Sequence, residues 1–463
     1  MTSTSSLKRQ SIGEKTLQAI RNGEDVSSQS QLKMILSLSW PTILAQLSTT
    51  LMQLIDASMA GRLGANASAA IGLVASSTWM VNGLSSGAVF GFSVQTSQAI
   101  GAKEMDKARS LCRQGWAVVM IMACLMMSIG LSVSQNLPAW LGADPEIVAD
   151  STAYFGLYCL SLPFVLLNSW AVQMLQATGN TRIPGFCQIA MCVLDVFFNA
   201  IFIFALKLGV AGAAIGTMCA VACSSLFLTF FVLKKSPLQG RLKFSFQKTA
   251  LFRALKIGLP ISVEQFISTS AYVLFTKIVA VLGSYAVAAN SFAITAESLC
   301  YMPGYGVASA GTAVIGQCMG AGRKDLAYRL AWKTTWIGTL LMSFSGLIMF
   351  VFAPELMMLL TPTEEIQAMG TICLRIEAFA EPMYGASIVV TGVLRGKGDT
   401  LGPTILNFLS MWCVRIPLAI LLRNLWGLSG IWIAMMIELN FRGLIFLIWM
   451  KFRWNRKPHI HTA

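Results

Sequence analysis

Gln98–Arg109 reads QAIGAKEMDKAR, and 219 positions further on Gln317–Arg329 reads QCMGAGRKDLAYR. Each word closes a long apolar run, and Gln98, Gly101 and Asp106 fall on Gln317, Gly320 and Asp325. The same shift lays Pro41 on Pro260, Pro163 on Pro382 and Pro184 on Pro403. It also lays Gly64 on Gly283, Gly87 on Gly306, Gly179 on Gly398, Leu63 on Leu282 and Thr181 on Thr400. With only 14 prolines in 463 residues, three coincidences at one offset are far above chance. The register runs without a gap from about residue 36 to 185, then slips by one, so that Gly209 and Gly212 meet Gly427 and Gly430. The chain is an internal duplication, and a period of that length repeats a whole helical bundle rather than a small solenoid unit.

Composition says where those bundles sit. Hydrophobic residues make up 55% of the chain, charged residues 12%, and the mean hydropathy is +0.66. Soluble domains carry about 25% charge, so a lipid environment is expected. Twelve apolar stretches reach the roughly 20 residues needed to cross a bilayer: 34–58, 68–95, 115–136, 151–174, 184–206, 209–233, 255–281, 287–314, 333–353, 368–392, 401–423 and 427–450. Backbone groups in lipid must satisfy one another, which makes these segments helices. Six spans per repeat is even, so the halves run parallel, related by an axis along the membrane normal. That is a transporter arrangement with the path between the bundles. The expected organisation is a polar tail at 1–32, a first lobe at 33–233, a linker at 234–254, a second lobe at 255–450 and a tail at 451–463. Residues 1–32, rich in Ser and Gln, are expected to be disordered on composition, and they lack the apolar core of a signal peptide.

A formal net charge of +14 would suit a nucleic-acid binder. The distribution of the bases argues otherwise. Lys8, Arg9, Lys15, Arg21 and Lys33 precede the first span; Lys103, Lys107, Arg109 and Arg113 follow the second; Arg182 follows the fourth. Lys234, Lys235, Arg241, Lys243, Lys248, Arg253 and Lys256 fill the central connection, Arg323, Lys324, Arg329 and Lys333 follow the eighth span, and Arg395 and Lys397 follow the tenth. Lys451, Arg453, Arg456 and Lys457 close the chain. All of these fall on one side of the membrane. The positive-inside rule then puts both termini in the cytoplasm of a multi-pass inner-membrane protein, with the excess charge facing anionic lipid and no nucleic acid required. The two histidines, His459 and His461, lie in the tail and rule out a His-built metal site, and the eleven cysteines form no C-x-x-C pair. No phosphate-binding loop and no nucleophile–base spacing appears, so the expectation is a protein without cofactor or enzymatic activity, driven by an ion gradient.

Acids inside apolar spans are costly and therefore functional candidates. They are Asp56, Asp195, Glu264, Glu297, Glu377, Glu381 and Glu438, and none meets an acid at the repeat offset: Asp56 falls on Phe275, Asp195 on Val414, Glu264 on Ala45. The scaffold is shared and the acids distinguish the lobes. Asp195 and Asn199 are four apart and share a helix face, a carboxylate–amide pair suited to a proton or to sodium, which prefers oxygen ligands. Asp56, near the outer end of its span, either couples a cation or sits beside Arg62. Glu264 and Glu381 either bind cation or cargo or pair with buried bases such as Arg415. Glu297 lies mid-span, Glu377 is one turn before Glu381, and Glu438 with Arg442 one turn on forms a structural pair.

The words IDASMAGRLGA (Ile55–Ala65), QAIGAKEMDKAR, QCMGAGRKDLAYR, LQATGNTRIP (Leu175–Pro184) and VLRGKGDTLGP (Val393–Pro403), in this order across both repeats, resemble the multidrug and toxic compound extrusion (MATE) family. The resemblance covers about residues 33–450. It implies two six-helix lobes in a V around a central cavity, exporting drugs or other amphipathic organic cations in exchange for H+ or Na+. It also implies a coupling role for Asp56, which matches the family's acidic first-helix motif. One departure stands out. Many members carry Asn first and Asp four residues later in the fifth span, whereas this chain has Asp195 first and Asn199 second. A lipid-linked glycan flippase of related bundle architecture is the rival reading; it would want a cavity dominated by Arg and Lys.

Overall fold

A computed structural model describes residues 11–240 and 246–455. Lys8, Arg9, Arg241, Lys243, Arg456, Lys457, His459 and His461 lie outside the described residues. Helix α1 (Ile12–Asn22) precedes the first span, α2 (Ser28–Gly61). The first lobe continues with α3 (Ala65–Gly101), α4 (Met105–Ser134), the short α5 (Leu137–Trp140) and α6 (Pro145–Ala177). Its last two spans are α7 (Arg182–Asn199), which runs on as a π-helical turn over Ala200–Ala205, and α8 (Gly209–Lys234). The second lobe contains α9 (Lys248–Ala280), α10 (Ser284–Gly320), α11 (Lys324–Val351), the short α12 (Ala353–Leu360), α13 (Glu364–Glu377) and α14 (Glu381–Lys397). It closes with α15 (Leu401–Phe408), a π-helical segment over Leu409–Arg415, and α16 (Ile416–Asn455).

All twelve expected spans are present, with two local differences. The tenth is broken at 378–380 into α13 and α14, because Pro382 follows the break and cannot donate to the helix ladder. The eleventh and twelfth reverse at Trp426 and Gly427, where Gly427 takes φ 59°. The helices apolar enough by length and composition alone to cross a membrane are α4, α6, α7 with its π turn, α8, α11 and the Leu401–Trp454 stretch. Spans one, two, seven and eight are more polar, and they are the ones that pack between the lobes.

The expectation of a disordered tail is corrected from residue 11 onward. Ser11 Oγ accepts from the Glu14 amide at 3.0 Å while Ser11 N–H donates to Glu14 Oε2 at 3.1 Å, a reciprocal capping box. Gly13, Thr16, Leu17 and Ile20 then fall on one face and are buried. A short amphipathic helix was hidden in a Ser- and Gln-rich average, since composition ignores spacing.

Spans one and seven change lobes along their length. The first half of α2 (Met34, Ile35, Leu38, Ile43) packs with Val314 and Ile315 of α10 and Leu330 of α11 in the second lobe. Beyond Pro41, Met52 packs on Met191 and Ala220 of the first. Its repeat partner α9 does the converse: Ala250 and Ala254 join Phe92 and Trp170 of the first lobe, and beyond Pro260, Phe275 and Ile278 join Trp432 of the second. The matched prolines mark both crossings.

The lobes meet on the side of the molecule that carries α1 and the end of α16, here the terminal side. Thr42 Oγ1 donates to the Gly306 carbonyl (2.8 Å), Ser97 Oγ to Ala313 (3.0 Å), Ser262 Oγ to Leu84 (2.7 Å) and Gln95 Nε2 to Ala250 (3.1 Å). A Cβ at Gly101 would strike the Gln317 carbonyl and one at Gly320 the Gln98 carbonyl, so the repeated glycines let the ends of α3 and α10 cross in contact. The series stops at Trp79 and Tyr272, whose rings are 6.1 Å apart and 54% and 40% exposed. The hydrogen bonds between the lobes named above lie on the terminal side of that pair, where the two lobes are joined.

Candidate functional site

In the first lobe, α2 and α7 bring the predicted residues together. Asn199 Nδ2 donates to Asp56 Oδ1 at 2.9 Å and to Asp195 Oδ2 at 3.0 Å. One amide thus bridges two carboxylates from different spans. Asp195 and Asn199 are 0% and 1% exposed, and Asp56 is partly exposed. Asp195 Oδ1 and Asn199 Oδ1 are buried without a hydrogen-bond partner, leaving acceptor oxygens free for a proton or a small cation. Thr217 of α8 and Tyr154 of α6 stand beside the pair.

Local structure accounts for this geometry. The i,i+4 spacing puts Asp195 and Asn199 on one face, and the π turn begins at the next residue, widening the helix where the site needs room. On the other side Gly216 of α8 faces Asn199, and any Cβ there would collide with Asn199 Oδ1 and its backbone nitrogen. The spacing of Asp195 and Asn199 was legible in the sequence; their convergence with Asp56, 139 residues earlier than Asp195, was not. Gly216 carries no such signal in the sequence, because small residues in membrane helices usually mean only close packing.

The second-lobe acids separate into three settings. Glu264 of α9 is paired: Arg395 Nη2 donates to Oε2 at 3.0 Å, Asn407 Nδ2 to Oε1 at 2.6 Å, and Thr404 Oγ1 lies 3.4 Å from Oε2. The Arg395 guanidinium also lies over the ring of Phe90 in the first lobe, 5.5 Å from its centroid. Its partner is therefore Arg395, which sequence position had assigned to a loop, and not Arg415. Glu438 holds Arg415 at 2.7 Å and Arg442 at 2.6 Å, with Ser410 as a further donor. The structural pair expected there is a four-residue network.

Glu297 lines a cavity of about 130 Å³ together with Tyr272, Phe275, Tyr301, Tyr384, Met411 and Arg415. The cavity thus presents one carboxylate, one guanidinium and several aromatic rings. Glu377 and Glu381 are both 0% exposed and flank the break between α13 and α14. Both Glu377 oxygens lack a hydrogen-bond partner, and the Cys300 thiol is the polar group beside Glu381. Both acids stand near Glu297 but not on the cavity wall.

Comparison with known proteins agrees with the duplication. The MatE family profile matches residues 41–201 and again 260–421, beginning at the two paired prolines. The probable multidrug resistance protein NorM of Thermotoga maritima is 25% identical over 439 residues, covering 92% of this chain and 93% of that protein. A structure described as the outward-facing conformation of a multidrug resistance MATE family transporter superposes with a TM-score of 0.89 at 22% identity, covering 96% and 99% of the two chains. A mutant of the Vibrio cholerae MATE transporter VcmN gives 0.88 at 21% identity, covering 93% and 98%. With twelve membrane-spanning helices in two parallel lobes and a profile match repeated across both, the chain belongs to the MatE family of membrane transporters.

Proposed function

We propose that this transporter is a cation-coupled antiporter of the inner membrane, with both termini cytoplasmic, that exports drugs or other amphipathic organic cations in exchange for H+ or Na+. The observation that carries the reading is the single Asn199 amide shared by Asp56 and Asp195. Two carboxylates gathered on one neutral donor call for a compensating positive charge, and a proton or a sodium ion is what the free oxygens can accept. Filling the site from the open face removes the negative charge that attracts a cationic cargo and changes how α2 packs on α7. Cargo leaves, the lobes rearrange, and the ion is released on the terminal side. Coupling exists to the extent that ion and cargo prefer different states.

In this reading Glu297 and the tyrosines around its cavity receive the cationic cargo, since aromatic faces and a carboxylate suit organic cations. Glu377 and Glu381 stand behind it as further cation- or proton-accepting groups, and Glu264 positions α9 through Arg395. The relatives' names, which refer to multidrug resistance, support the cargo class. The test is efflux of a fluorescent organic cation from proteoliposomes, driven by a pH gradient alone and then by a sodium gradient alone. Asp56→Asn and Asp195→Asn should each abolish the driven component; full driven efflux in both variants would reject the coupling site.

A further inference from the structure

Helix α1 precedes the first lobe in sequence, yet it is bound to both. Leu17 and Ile20, each 0% exposed, sit in the second-lobe cluster with Ile315 and Cys318 of α10 and Leu326 of α11. Leu17 also lies against Gly179, in the turn after α6 of the first lobe. That turn is two residues from Ala177, whose carbonyl accepts from Gln317 Nε2 across the lobe seam at 2.7 Å. The helix therefore covers one of the hydrogen bonds that close the terminal side.

The segment after α1 is tied to the second lobe. Arg323 donates to the Glu24 carbonyl and to Asp25 Oδ1, the latter at 3.0 Å. Lys333 Nζ reaches Ser28 Oγ and Gln31 Oε1, both at 2.7 Å. Gly13 lies on Leu38, in the half of α2 that packs on the second lobe. Any motion that parts the lobes on this side must pull Leu17 away from either Gly179 or the second-lobe cluster.

We propose that α1, the turn after it and the first turn of α2, residues 11–31, form a latch that holds the terminal side closed, and that its undocking sets the barrier to opening there. Burial of Leu17 and Ile20 is the main contribution, because the exposed Asp25–Arg323 pair is worth little on its own. The latch rests on the alternating-access part of the antiport reading and not on the identity of ion or cargo.

Hydrogen exchange on the full-length protein in nanodiscs, without gradient or cargo, tests it. In Leu17→Asp/Ile20→Asp the buried face cannot stay docked, since two unpaired charges would have to be buried. Amides at 95–101 and 313–320, where α3 and α10 cross, should then exchange at least about fivefold faster, the lower end of typical coupling between sites. Ile12→Asp, on the exposed face of α1, should leave them unchanged. Unaltered exchange at the crossing while α1 itself loses protection would overturn the latch, and so would an α1 that stays protected in the double variant. Faster exchange in the double variant, together with a wild type that shows no ion-driven efflux, would instead reject the ion coupling and leave the latch standing.

Discussion

Gln98 and Gln317, 219 residues apart, make one bond twice, in opposite directions across the lobe seam. Gln98 Nε2 donates to the carbonyl of Gly396 at 3.3 Å, and Gln317 Nε2 donates to the carbonyl of Ala177 at 2.7 Å. The acceptors are themselves 219 residues apart, each near the end of its lobe's fourth span. The duplication is therefore used as a joint: each lobe reaches over the pseudo-twofold axis to hold the other. Gln98 is further held by Arg253, whose Nη2 donates to Oε1 at 2.7 Å, whereas Gln317 is fully buried with its side-chain Oε1 unpartnered.

Removing the shorter bond should loosen the closed side. Gln317→Ala is expected to cost about 1 kcal/mol of the closed state, the typical net value of one hydrogen bond, or about a fivefold shift in population. Lys103 and Lys324, exposed just after the crossing ends of α3 and α10, allow the check by amine cross-linking, whose yield should fall in Gln317→Ala. An unchanged yield would mean that the joint does not control the seam.

The exchanged order of Asp195 and Asn199 predicts a rescue. Asp195→Asn should abolish ion-driven efflux, since it removes one of the two carboxylates gathered on Asn199. Adding Asn199→Asp restores a carboxylate on the same face, at the position that already touches Asp56. Part of the driven efflux should return in Asp195→Asn/Asn199→Asp; no recovery would show that the depth of Asp195 along the helix is itself required.

Gly216 separates helix stability from site geometry. Replacing a helical glycine with alanine ordinarily favours the helix by about 0.5–1 kcal/mol. At Gly156 nothing lies within 4 Å of the added Cβ, so Gly156→Ala should transport normally. Gly216→Ala should cut driven efflux while the protein remains folded, because the methyl group displaces Asn199 from between the two aspartates. Equal activity in the two variants would argue against a positioning role.

The Arg395–Glu264 pair should behave as a buried ion pair. Arg395→Ala leaves Glu264, 8% exposed, without its guanidinium, and a broken buried pair typically costs about 3–5 kcal/mol. Thermal unfolding in detergent should show a marked drop in Tm for Arg395→Ala and recovery of most of it in Arg395→Ala/Glu264→Gln. A neutral Arg395→Ala would place the pair among weak surface contacts.

Periodic features were legible in the sequence. Twelve apolar stretches and the 219-residue offset follow from local composition and spacing, which lipid enforces span by span. Features that depend on averages failed: the Ser- and Gln-rich start concealed α1, because burial of Leu17 and Ile20 depends on a face and not on a mean. Partner choice failed for the same kind of reason. Arg395 reads as a loop base beside Lys397, yet it reaches Glu264, 131 residues away in sequence.

What the sequence determined by itself was the scaffold and its inventory: two parallel six-helix lobes, matched prolines and glycines, and a handful of acids with no counterpart in the other half. What the tertiary structure decided was which of those acids share a site. Asp56 meets Asn199 because α2 crosses to its own lobe beyond Pro41; Glu264 meets Arg395 because α9 and α14 converge; Glu377 is left without a hydrogen-bond partner at a helix break. Helical periodicity is a property of neighbours a few residues apart, whereas these meetings join helices far apart in the chain through side-chain packing.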